Sequence, residues 1–183
     1  MTTFEFKRNV QPNAERATTS LTAWGERKPL ASVVLNIVRQ VNERELRPVA
    51  ASDASTAFQP RTLLALMTYC YATGIYGSQD MESVMRQDSV FRMLCGHEFP
   101  GWRTLRRFRR LNHDLIHTCL GETLHAARRT APADPSGTSL GERGGQTLTG
   151  PARREMLNRE ESFAEAGQRI EKAMFIDSMT IED

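Results

Sequence analysis

Apolar positions recur at spacings of three and four through the middle of the chain, and that period predicts helices. Behind Pro29, the residues Leu30, Val33 or Val34, Ile37 and Val41 share one face of a helix that ends near Leu46, before Pro48. Residues 49–58 are small and polar and read as a loop. Pro60 opens the next helix. Its stretch from Leu63 to Ala72 is apolar almost all round, which marks a helix buried on most sides, and Gly74 closes it. Ser78 is placed to cap a helix with Met81, Val84 and Met85. Asp88 is placed to cap a short one with Val90, Phe91 and Leu94, stopped by Gly96. After the loop HEFPGW, Thr104 offers another cap, and one long helix is predicted to about Arg129. Leu105, Phe108, Leu111, Leu115, Ile116 and Cys119 line one of its faces.

The flanks differ. Residues 1–28 are polar without a sustained period and read as a flexible arm; the alternation Phe4, Phe6 has no visible partner strand. Residues 130–151 are rich in Pro, Gly, Ser and Thr and read as a linker. Pro151 starts a last helical segment with Met156, Phe163, Ala166, Ile170, Ala173 and Met174 on a thin stripe that Gly167 interrupts. The predicted organisation is an arm (1–28), a helical domain (29–129), a linker (130–151) and a C-terminal helix and tail (152–183). The fold class is all-α, a compact multi-helix domain with a helix-turn-helix-like unit and a tethered C-terminal helix. A lone helix with so little to bury is marginal in water. It must dock on its own domain or on a second copy, which makes a homodimer a candidate assembly.

Composition narrows the classes. The chain has 183 residues, 39% hydrophobic and 25% charged, room for one domain with tails. A net charge of +2 excludes a uniformly basic nucleic-acid protein, yet 21 Arg stand against 3 Lys. From Gly101 to Thr130 the net charge is +5, and from Arg153 to Asp183 it is −3, so a basic middle precedes an acidic tail. Cys70, Cys95 and Cys119 have neither metal spacing nor a disulfide pattern and read as buried thiols. No signal peptide or membrane span is visible, so a cytoplasmic protein is expected.

The local feature that stands out is Arg103-Thr104-Leu105-Arg106-Arg107-Phe108-Arg109-Arg110. At roughly 100° per residue, Leu105, Phe108, Leu111, Leu115 and Cys119 gather on one side. Arg103, Arg106, Arg110, His113 and His117 gather opposite, with Arg107 beside them. The planar guanidinium fork suits phosphate oxygens and the guanine edge. The short elements before it would brace such a helix as in a helix-turn-helix module. The candidate DNA-binding residues are Arg103, Thr104, Arg106, Arg107, Arg110 and His113. The pattern alone leaves three readings open: a DNA-binding face, a solvated face paired with Glu82, Asp88 or Glu98, and a protein contact.

A resemblance weighs on that choice. The segment from Phe58 to about Arg110 resembles the N-terminal domain of bacterial insertion-sequence transposases of the DDE type. The matching pieces are Phe58-Gln59-Pro60-Arg61-Thr62-Leu63-Leu64 and Tyr69-Cys70-Tyr71-Ala72-Thr73-Gly74-Ile75-Tyr76. Ser78, Glu82, Asp88, Phe91-Arg92-Met93-Leu94, Gly96, Pro100, Arg103-Thr104-Leu105 and Phe108-Arg109-Arg110 follow in order. The resemblance implies a helical domain that engages double-stranded DNA at the element's ends and helps assemble the enzyme. Such transposases continue into an RNase-H-like sheet whose three carboxylates hold divalent metal for phosphoryl transfer. Nothing after Thr130 predicts that sheet, and Asp134-Pro135-Ser136-Gly137-Thr138 reads as a turn. The expectation is therefore a transposase-like, DNA-binding chain that recognises element ends without catalysing strand transfer, with no catalytic residue, metal or cofactor. His113 and His117 lack further ligands for zinc, and Gly141-Glu142-Arg143-Gly144-Gly145 lacks the Lys of a phosphate loop. The alternative is a helical interaction or oligomerisation module with a solvated Arg face.

Overall fold

The computed structural model describes residues 29–49, 58–95, 99–130 and 151–180. Within them the chain is helical and contains no strand: α1 (29–39), a 3-10 turn (Glu43–Glu45), α2 (Pro60–Ala72), α3 (Ser78–Met85), α4 (Ser89–Cys95), α5 (Trp102–Leu111), α6 (His113–Thr130) and α7 (Pro151–Met179). The all-α expectation holds. The expected arm, the linker between α6 and α7 and the stop at Gly96 lie outside the described residues.

The core is built round α2. Leu63 through Tyr71 are all buried, because no side of this helix faces water. It packs against α4, α5 and α6, and Ala31, Val34 and Val38 of α1 join the same core. At about 1.5–3 kcal/mol for each large apolar side chain removed from water, this helix anchors the domain. Pro60 starts it, and Gly74 ends it at φ +84, where a Cβ would be strained. Arg169 of α7 also donates to the Tyr71 and Ala72 carbonyls at 2.7 and 2.8 Å, placing a cation at the negative end of α2.

Four expectations about boundaries are corrected. The first helix stops at 39, and the chain reaches Leu46 through the 3-10 turn, held to α2 by Arg61, whose Nη2 donates to the Val41 carbonyl at 2.8 Å. Ser78 is the first helical residue rather than the cap, and Gly77 precedes it as N-cap. Thr104 does not cap: α5 begins at Trp102 after Gly101, and its exposed first N–H is taken by the Glu82 carboxylate at 2.9 Å. The long helix 104–129 is in fact two, broken at Asn112 (φ −125, ψ 28). Asp88 does cap as expected, accepting from the Val90 N–H at 2.9 Å.

The break has a specific cause. The Asn112 amide accepts from the Arg47 N–H at 2.8 Å and donates to the Arg47 carbonyl at 2.9 Å, gripping a backbone segment 65 residues away. Its own N–H bonds to Phe108 O, and its carbonyl accepts from Ile116, so one residue ends α5 and starts α6. The apolar period runs through the break, which is why the period alone shows one helix.

The C-terminal helix docks on its own domain. Its buried positions are Ser162, Ala166, Ile170, Ala173 and Asp177, a stripe of three and four that lies along α6. Met156 and Met174, expected on that stripe, are 64% and 41% exposed. The contact is close where Gly121 of α6 faces the Phe163 ring. Polar pairs of both polarities cross the α6–α7 seam: Arg128 of α6 with Glu165 (2.6 Å), Arg159 of α7 with Glu122 of α6, and His125 of α6 with Glu155 (3.1 Å). The two arginine pairs, partly open to solvent, are each worth at most about 1 kcal/mol, so they set register more than stability.

Candidate nucleic-acid interface

Helix α5 presents the arginine run, and its two sides have different fates. Leu105 and Phe108 are fully buried. Opposite them, Arg103, Arg107 and Arg110 are exposed. The Arg103 guanidinium lies 4.6 Å from the centroid of the Trp102 ring, a cation–π contact that steadies it at the surface. Thr104 is half-buried in the first turn. His113, 45% exposed, contacts the Asp114 carboxylate at 3.2 Å. It opens α6 and lines a cleft of about 240 Å³ with Arg47 and Arg110.

Arg106 departs from the expected opposite face. Its side chain is 12% exposed and lies on the flank of α5. Its Nη2 donates to the Asp177 carbonyl at 2.8 Å, its Nε stands 3.4 Å from the Asp177 carboxylate, and its guanidinium also lies 4.6 Å from the Trp102 ring. His117 is displaced as well. The break at Asn112 swings it toward α7, where Nε2 donates to the Phe163 carbonyl at 3.0 Å. Among the acids expected as partners of the arginines, Glu82 serves the Trp102 N–H and Asp88 caps α4, while Glu98 lies outside the described residues.

Arg109, to which the helical period assigns no role on either face, is buried with 4% exposure. Its Nη1 donates to the Tyr71 hydroxyl at 2.9 Å, and its Nη2 donates to the Asp177 carboxylate. The same carboxylate accepts from the Ser78 N–H at 2.8 Å and from the Ser78 hydroxyl at 2.5 Å. Burial would raise the Asp177 carboxyl. The hydrogen bonds from Ser78 and Arg109, with the charge of Arg109, outweigh burial and hold it below the ordinary carboxylate range. Burial likewise pulls Arg109 down, while Tyr71 and Asp177 more than restore it, so it stays charged. Burial pushes the Tyr71 hydroxyl well above its ordinary value, so it remains a neutral hydrogen-bond partner. One signal for this network is present in the sequence. Asp177 falls four residues after Ala173, in register with the buried stripe, and an acid there requires a buried cation.

Among the described residues, no three His, Cys, Asp or Glu side chains are grouped to hold a metal ion. No described helix is long and apolar enough to cross a membrane. Cys70, Cys95 and Cys119 are buried free thiols, as expected.

The arrangement can hold an anionic surface against three guanidiniums on a helix whose inner face is fixed. Neither a curated protein nor a solved structure matches the chain. The boundaries of one family model do coincide with this architecture: they run from just before α1 to the last residue of α5, leaving α6 and α7 outside. Residues 24–111 match the model of a transposase domain (DUF772).

Proposed function

We propose that the chain binds double-stranded DNA through the outer face of α5, and that it contributes recognition of element ends rather than strand transfer. Arg103, Arg107 and Arg110 are the contacts, with Thr104 and His113 at their edge; Arg106 takes part only when Asp177 is displaced. The observation that carries the reading is three exposed guanidiniums on the outside of one helix in a transposase-related domain. Successive turns bring them about 5 Å apart along the axis, close enough to follow a phosphate backbone or to reach base edges in the major groove.

The test is fluorescence anisotropy with duplexes of the element's ends over a range of salt. Arg103→Ala, Arg107→Ala and Arg110→Ala together should weaken binding and flatten the salt dependence by about 0.9 for each phosphate that is no longer neutralised. Their exposure means the melting temperature should hold. Equal affinity for the triple variant and the parent would overturn the proposal. It would favour the interaction module, for which the outer side of α7, with Leu157 at 47%, Phe175 at 64% and Met179 at 69% exposure, is the surface to examine by light scattering.

A further inference from the structure

The Asp177 carboxylate sits in a cradle that it does not share a domain with. Two guanidiniums, Arg106 and Arg109, converge on it with the Ser78 hydroxyl and the Ser78 N–H at the start of α3. The three donors to the carboxylate (the Ser78 N–H, the Ser78 hydroxyl and Arg109) and the ion-paired Arg106 all come from residues inside the family match, 24–111, and the acceptor comes from a helix outside it. Of the acids in the match, Glu82 takes the Trp102 N–H and Asp88 takes the Val90 N–H, while Asp80, in the first turn of α3, lies against Gly77 beside the cradle but does not fill it. The matched segment therefore gathers two guanidiniums and two Ser78 donors round an oxyanion supplied from outside it.

We propose that this cradle is a phosphate-binding site, and that Asp177 occupies it as an intramolecular stand-in for a DNA phosphate. A carboxylate and a phosphate monoanion present oxygens of similar charge to the same guanidinium fork. Arg106 ties the cradle to the outer face of α5, because its guanidinium and that of Arg103 both lie 4.6 Å from the Trp102 ring. A duplex lying on Arg103, Arg107 and Arg110 thus passes beside the cradle, and release of the α7 end lets one further phosphate bind. The tail does not cover the outer arginines; it withholds the flanking one. Competing phosphate favours release, whereas salt does little to it, because the Arg109–Asp177 pair is buried and weakly screened.

This inference rests on the proposed DNA-binding face, and its test separates the two. The full chain carrying Asp177→Ala is compared with the parent in duplex affinity, in salt dependence and in thermal stability with inorganic phosphate against chloride at equal ionic strength. Expected is tighter duplex binding, a salt slope steeper by about 0.9 for one additional phosphate neutralised, and stabilisation by phosphate that the parent lacks. Adding Arg106→Gln should remove the gain in affinity. If Asp177→Ala does not fold, Asp177→Asn keeps the shape and the Ser78 contacts while removing the charge, and should move in the same direction by less. A folded variant that gains neither affinity nor phosphate stabilisation overturns the inference even where the parent binds DNA. Phosphate stabilisation without duplex binding by any variant supports the cradle and overturns the DNA-binding face. Stabilisation by acetate or an acidic peptide but not by phosphate overturns the phosphate assignment in favour of a carboxylate-bearing partner.

Discussion

The seam between α6 and α7 makes a prediction whose sign depends on one ring. A Cβ placed on Gly121 would lie 2.8 Å from Cγ of Phe163 and 2.9 Å from both Cδ atoms. Carbon atoms pack best at about 3.5–4.0 Å, so the ring or the helix must retreat by roughly 0.7–1 Å. Overpacking of this kind costs about 1–3 kcal/mol. Against it, alanine is favoured over glycine in a helix interior by about 1 kcal/mol. Gly121→Ala should therefore be neutral to destabilising by about 2 kcal/mol. In a Phe163→Ala background the obstacle is gone, and the same substitution should stabilise by about 1 kcal/mol. The coupling between the two positions is then about 1–3 kcal/mol. Urea unfolding of the four proteins at one concentration, followed by circular dichroism, measures it. An identical effect of Gly121→Ala in both backgrounds, within about 0.5 kcal/mol, would refute close docking of α7 on α6.

Three further outcomes follow from the polar contacts and the thiols. Asn112→Ala should cost about 1–3 kcal/mol, because it leaves the Arg47 backbone without its partners; hydrogen exchange should show the loss concentrated at 43–49. Asp177 has a folded-state pKa below its unfolded value, so its contribution to stability is full above the ordinary carboxylate range, near 4, and disappears as pH falls through the lowered folded value. Thermal melts from about pH 5 downward should show that loss in the parent and a flatter profile in Asp177→Asn. The three thiols should resist a disulfide reagent in the native protein at pH 8 and react on unfolding, since burial pushes Cys119 up to about 11, Cys95 up to about 12 and Cys70 well above its ordinary value.

What the sequence discloses is what local physics decides. Pro60 and Pro151 start helices because proline suits the first turn, Gly74 ends one because its φ is positive, and Leu63–Ala72 is buried because it has no polar side. The exposed set Arg103, Arg107 and Arg110 also follows from the period of one helix. The misplaced residues all depend on partners distant in the chain. Asn112 breaks a helix through Arg47, 65 residues away. Arg106 leaves the outer face through Asp177, 71 residues away, and Ser78 gives up its cap to the same acid across 99 residues. His117 falls on the arginine face only if α5 and α6 are continuous, and the clamp at Asn112 makes them two.

Those distant clamps bear on how the arginine face works. Helix α5 is short, and its apolar contacts alone define its inner side without fixing its roll. Arg109 adds a directional constraint, since its guanidinium must meet both the Tyr71 hydroxyl and the Asp177 carboxylate. Asn112 adds a second at the same C-terminal end by fixing where α5 stops. Together they restrict the direction in which Arg103, Arg107 and Arg110 project, the rigidity that the proposed DNA-binding face requires. One of those two constraints is supplied by α7. On the proposed DNA-binding reading, a substitution that loosens the α6–α7 seam far from the arginines, as a destabilising Gly121→Ala would, should therefore alter DNA discrimination between matched and mismatched ends more than it alters salt-dependent, sequence-independent binding. Charge attracts the duplex whatever the roll of α5, whereas contacts with base edges require the roll to be right.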